Sequence, residues 1–235
     1  MTNGRMPFHP PCPDGPPDDS TATVDTGAAT LRAFAFLLGT PLLLLALSLP
    51  LAWATDDWRE HRAWQYAVGV ATLWIMTALV VAQARRERLS GPRDWFGRLR
   101  ASDVAVAAAL LVAGTAAMYL FSEWTGSPRA WHLPRGVVEK ALWILLCLSV
   151  GFCEEMIYRG YCLTRLIAAT GSPAAAWLMQ AALYGLLHFA FGPAWIGFTT
   201  GVGLFMGWLV LWRKSLWPAV LVHVLADAAV LLGGH

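Results

Sequence analysis

Charge is what this chain has least of. Lys, Arg, Asp and Glu make up 14% of its 235 residues, against about 25% in an ordinary soluble domain. So little charge excludes a soluble domain with a solvated surface, and a net charge of +2 is too small to point to a nucleic-acid partner. The four cysteines, Cys12, Cys147, Cys153 and Cys162, have no CxxC spacing, so free thiols are expected rather than a disulfide framework. No HExxH is present, which removes the usual helical zinc-protease signature. Strict apolar/polar alternation is also missing, which argues against a membrane β-barrel. Residues 1–28 are rich in Pro, Asp, Thr and Gly and contain no apolar core segment, so no signal peptide is expected there. No internal repeat is visible.

What the chain does have is hydrocarbon, at 57% hydrophobic residues. Apolar runs near 20 residues are the length a bilayer demands. Seven spans are expected, at about 31–54, 64–83, 103–122, 137–158, 174–191, 194–212 and 216–232. The fold class is therefore all-α, a polytopic membrane helix bundle of about seven transmembrane helices. Residues 1–30 read as a disordered cytoplasmic tail, 31–136 as N-terminal scaffold spans, and 137–235 as the core that carries the chemistry. Arg85, Arg86, Arg88, Arg93, Arg98 and Arg100 crowd one loop, which marks it as cytoplasmic. Arg5, Arg32, Arg159, Arg165, Arg213 and Lys214 then join the same side, leaving Arg59, Arg62, Arg129, Arg135 and Lys140 outside. This gives a multi-pass protein of the cell (inner) membrane with its N-terminus in the cytoplasm. Trp53, Trp58, Trp64, Trp95, Trp124, Trp131, Trp212 and Trp217 lie near span ends, as an interfacial aromatic belt requires.

Six ionisable residues fall inside the expected spans: Glu154, Glu155, Arg159, His188, His223 and Asp227. A charge at the bilayer centre costs at least about 2.5–3.5 kcal/mol, so each is a functional candidate. All six lie in the last four spans. Glu155 and Arg159 are four apart with Glu first, the order that favours a helical ion pair. Glu154 is turned about 100° away and is the carboxylate left free to act as a base. His188 has Tyr184 one turn before it, and His223 has Asp227 one turn after it. "TGSP" at 170–173 reads as a turn; counting 17 residues either way puts Glu154 and His188 at one level of a hairpin. Gly197, Gly201, Gly203 and Gly207 are small residues suited to close helix packing.

"EEMIYRG", "YGLLH" and "LWPAVLVHVLADA" in this order resemble the EExxxR, FxxxH and HxxxN/D blocks of the CPBP family of intramembrane glutamic proteases. That family includes the type II CAAX prenyl endopeptidases and bacterial relatives. The resemblance covers residues 137–232. It implies a metal-independent endopeptidase with no cofactor, acting on a membrane-anchored peptide or protein in the lipid bilayer. Glu154 and His188 would activate a water, and His223 and Asp227 would hold the oxyanion. Arg159 would be structural or position substrate, and Glu155 and Tyr184 would support. Tyr184 stands where the family commonly has Phe. Asp227 stands where the prenyl endopeptidases have Asn, and an ionised carboxylate would repel an oxyanion, so Asp227 must be protonated or paired with a charged His223. Three other readings of the same residues remain: a metal-dependent membrane protease, a non-catalytic scaffold or immunity protein that uses the polar set as helix glue, and a proton-coupled transporter.

Overall fold

A computed structural model describes residues 61–87, 91–125, 134–189 and 192–229, with helical positions spaced through 27–47. The expected tail, and most of the first span, lie outside the described residues. The described chain is an all-α membrane bundle. Its helices are α1 (Arg62–Glu87), α2 (Pro92–Phe96), α3 (Ala101–Thr125), α4 (Gly136–Thr170), α5 (Pro173–Leu186), α6 (Pro193–Arg213) and α7 (Trp217–Ala229).

Among the described residues, α1, α3, α4 and α6 are long and apolar enough to cross a membrane. One expected span is shorter than the sequence suggested. α5 has 14 residues, or ~20 Å at 1.5 Å per residue, against a ~30 Å hydrocarbon core. α7 is described over Trp217–Ala229, and the rest of the last expected span lies outside the described residues. α4 goes the other way. It runs on past residue 158 to Thr170, 35 residues in all, with a π-helical stretch at Met156–Cys162.

The local signals are those expected of helix ends. Gly171 takes a left-handed conformation (φ 64°) and closes α4. The Ser172 hydroxyl accepts from the Ala175 N–H at 3.2 Å and Pro173 opens α5, so the 170–173 turn forms as expected.

α4 is the central element, packed on α1, α5 and α7; α5 packs on α6, and α3 on α7. Two close approaches set its position. A Cβ on Gly151 would lie 2.7 Å from the Val224 nitrogen, so α4 and α7 touch backbone to backbone there. A Cβ on Gly160 would lie 2.6 Å from the Trp95 ring. Trp95 is therefore not an interfacial belt residue. It is fully buried, because the loop carrying α2 folds back and plugs it against α4. The Trp95 carbonyl accepts from the Leu216 N–H at 2.9 Å, and the Ser215 hydroxyl donates to the Phe96 carbonyl at 2.6 Å. Trp64, Trp124 and Trp212 are exposed, as a belt requires. Of the small residues on α6, Gly203 and Gly207 meet α5, whereas Gly197 and Gly201 face open space. Cys147, Cys153 and Cys162 are buried and form no disulfide among the described residues; Cys12 lies outside them.

Candidate active site

The site is built on the second half of α4 and the facing ends of α5 and α7. Glu155 and Arg159 are both completely buried, with Arg159 Nη1 donating to Glu155 Oε1 at 2.9 Å. The spacing argument for this pair therefore describes the molecule. Removing either charge would strand the other in the apolar interior, a loss of about 3–5 kcal/mol. The Arg159 guanidinium also lies over the Tyr184 ring, 4.4 Å from its centroid, and 5.8 Å from that of Tyr158. Stacking on two ring faces suits a desolvated cation.

His223 Nδ1 faces Glu155 Oε1 at 2.9 Å, a partner that spacing along the chain does not indicate. The Gly151–Val224 contact is the cause: it seats His223 one helical turn along from Gly151, beside Glu155. Glu155 Oε1 already accepts from Arg159, so it is the acceptor and His223 Nδ1–H the donor. That leaves the His223 Nε2 edge facing Asp227, with Oδ2 3.8 Å away. Arg159, Glu155, His223 and Asp227 thus form a row of polar contacts from the buried core outward.

Glu154 is half-buried while Glu155 is sealed, so the two adjacent carboxylates have different surroundings. Tyr184 donates its hydroxyl to Glu154 Oε2 at 3.3 Å. His188 sits just past the end of α5, in a turn rather than on the helix. Its Nδ1 is 2.8 Å from the Tyr184 carbonyl, and the two rings pack edge-on with centroids 4.9 Å apart. A carbonyl can only accept, so Nδ1–H donates and Nε2 is the basic nitrogen. Tyr184 is thus the shared neighbour of Glu154, Arg159 and His188.

Glu154 is thus hydrogen-bonded to Tyr184, which lies one turn before His188 in sequence.

A second polar cluster escaped the sequence reading. Glu87, at the end of α1, accepts from Arg165 Nε at 2.6 Å, from the Tyr161 hydroxyl at 2.9 Å, from Gln83 at 2.8 Å and from Arg32 at 3.0 Å. Arg165 is buried and stacks over Tyr161, 4.4 Å from the ring centroid. It was counted as a loop charge because it lies past the expected end of a span. The i,i+4 pairs Gln83–Glu87 and Tyr161–Arg165 were the available signal. Gln180 is also buried, with its amide donating to the Gly203 carbonyl at 2.9 Å. Among the described residues, no group of three or more His, Cys, Asp or Glu side chains is arranged to hold a metal ion.

Residues 137–229 match the family model described as Type II CAAX prenyl endopeptidase Rce1-like. The match begins at the first turn of α4 and ends at the last residue of α7, so it contains every site residue described above. Neither a curated protein nor a solved structure matches the chain.

Proposed function

Because residues 137–229 match the model described as Type II CAAX prenyl endopeptidase Rce1-like, we propose that this integral membrane protein is an endopeptidase of that kind. Its substrate is a peptide bond beside a membrane-anchored segment, hydrolysed by a water that Glu154 and His188 activate. The observation that carries this reading is the contrast between the two carboxylates. Glu155 is sealed and committed through Oε1 to Arg159 and His223, whereas Glu154 is half-exposed and, among the described residues, hydrogen-bonded to the Tyr184 hydroxyl alone.

The steps follow from those positions. Glu154 takes a proton from water as the oxygen attacks the scissile carbonyl, with His188 Nε2 accepting the water's second hydrogen bond. The tetrahedral oxyanion then needs donors in a low-dielectric site. His223 already donates Nδ1–H to Glu155, so it offers a second N–H at Nε2 as the imidazolium, and Asp227 faces that edge. Glu154 returns its proton to the leaving amine and the C–N bond breaks. Arg159 keeps Glu155 charged and the Tyr184 ring in place. The expected setting is the cell (inner) membrane, with the N-terminus and the site's water access on the cytoplasmic side. Residues 31–136 serve as scaffold in this reading.

The test is Glu154→Gln, assayed on membrane-anchored peptides with mass spectrometric readout. Cleavage is expected to disappear while the thermal midpoint in detergent stays within a degree or two. Undiminished cleavage would sink the proposal. A chelator that abolishes cleavage by wild-type protein would favour the metal-dependent reading instead.

A further inference from the structure

A groove of about 720 Å³ lies between α1, α2, α4 and the start of α7. One wall is a continuous series of rings. Trp74 stacks on Phe152 (5.8 Å between centroids), Phe152 on Phe96 (5.1 Å), and Phe96 leans on Trp217 (4.8 Å). The floor is the small-residue face of α1, Thr77, Ala78 and Ala82. Arg85 and Arg93 stand at one end.

From Trp74 to Arg85 is 11 residues of α1, or ~16 Å at 1.5 Å per residue. That is about half of a ~30 Å hydrocarbon core, the depth of one leaflet. The groove is therefore apolar for one leaflet's depth and cationic where the head groups begin.

The two arginines are uncommitted. Both are exposed, and neither makes an ion pair or side-chain hydrogen bond among the described residues. The nearest acids are taken: Asp94 accepts from the Gly91 N–H at 2.9 Å and Glu87 from Arg165. A polypeptide would bring an amide at every residue and find almost nothing but carbon on these walls, leaving polar groups unpaired at a cost. An acyl chain has no such need, and basic clusters beside transmembrane helices select anionic heads.

We propose that this groove is a site for an acidic phospholipid, with one acyl chain against the Trp74–Phe152–Phe96–Trp217 wall and the phosphate between Arg85 and Arg93. Phe152 and Met156 line the groove and flank Glu154 and Glu155 on α4. Lipid in the groove thus braces the helix that carries the candidate base.

Native mass spectrometry of the full chain decides it. Protein stripped in detergent is offered palmitoyl-oleoyl phosphatidylglycerol or the phosphatidylcholine of the same chains. At least tenfold preferential retention of phosphatidylglycerol is expected, lost in Arg85→Gln/Arg93→Gln. Ala78→Trp, which fills the floor, should lower retention of the lipid without changing the thermal midpoint of lipid-free protein. Glu154→Gln should bind lipid as wild type does, so a failure of the hydrolytic proposal leaves this one standing, and the reverse. Equal retention of both lipids, or unchanged retention in the double variant, overturns the site. So does displacement of phosphatidylglycerol by a lipid-modified substrate peptide, which would give the groove to substrate. Occlusion of the groove in a cross-linked dimer would give it to a second copy and overturn it as well.

Discussion

Gly151→Ala is the sharpest probe of how the site is held together. Two effects oppose each other. Alanine is the better helix former, by about 1 kcal/mol. Against that, the new Cβ would lie 2.5 Å from Val224 Cγ2, 2.7 Å from the Val224 nitrogen and 3.1 Å from its Cα. The methyl can rotate away, but the backbone atoms cannot. To reach ordinary contact at 3.4 Å the two helices must part by about 0.7 Å at this point. Overpacking of this kind costs about 1–3 kcal/mol, so the clash wins or breaks even in stability. At about 2–4 °C per kcal/mol for a chain of this size, the thermal midpoint should fall by no more than several degrees. Activity is the more sensitive readout. Parting α4 from α7 by that amount stretches the His223–Glu155 bond from 2.9 Å to about 3.6 Å, beyond hydrogen-bond range. A displacement near 1 Å in a catalytic constellation costs about 100-fold in rate. Cleavage by Gly151→Ala should therefore drop between about 10- and 100-fold while most of the stability remains. The control is Gly151→Ala/Val224→Ala. It removes the Cγ2 clash but leaves the Val224 nitrogen and Cα in place, so it should not recover activity. Wild-type cleavage by the single variant, or full recovery in the double variant, would refute the backbone-contact reasoning.

Other outcomes follow from the same geometry. Tyr184→Phe deletes the donor to Glu154 and keeps the ring under Arg159. A hydrogen bond to a charged group is worth about 1.5–3 kcal/mol, so kcat should fall about 10- to 100-fold with an unchanged melting profile. Glu155→Ala leaves Arg159 buried without its partner, and the cost of about 3–5 kcal/mol should appear as loss of folded protein in fluorescence-detected size exclusion. Glu87→Ala does the same to Arg165 at the other end of α4, while Glu87→Gln, which keeps an acceptor for Tyr161 and Arg165, should recover part of the loss. Trp95→Ala empties a fully buried site and should cost about 3–5 kcal/mol, read as a large fall in thermal midpoint. A belt tryptophan such as Trp124, 79% exposed, should tolerate the same change.

What the sequence disclosed, and what it withheld, divides by range. Glu155–Arg159 was legible because both residues are on one helix and the 3.6-residue period fixes their separation. The 170–173 turn was legible because glycine, serine and proline each have a local conformational role there. His223 was legible as a site candidate, but its partner was not. Which carboxylate it meets depends on how deeply α7 seats against α4, and that depth is set by the missing side chain at Gly151. Trp95 was misread for a similar reason. Position near a span end suggests an interfacial ring, and only Gly160, some 65 residues on, makes room for it in the core. Arg165 was misread because the span was expected to end before it. A helix that stays inside the protein past the hydrocarbon core offers no compositional sign of doing so.

The π-helical stretch at Met156–Cys162 has a consequence for how this helix can vary. It is a change of phase in an otherwise regular rod. Before it, α4 presents Glu154 and Glu155 to α5 and α7; towards its end and beyond, it presents Tyr161 and Arg165 to Glu87 on α1. Were the same residues to wind as a regular α-helix, the turn through the stretch would grow by about one residue's rotation, ~100°, and one half would swing against the other. Either the carboxylates or the arginine anchor would then face the wrong neighbour. The winding between the two halves of α4 is thus as constrained as the identity of the residues in them.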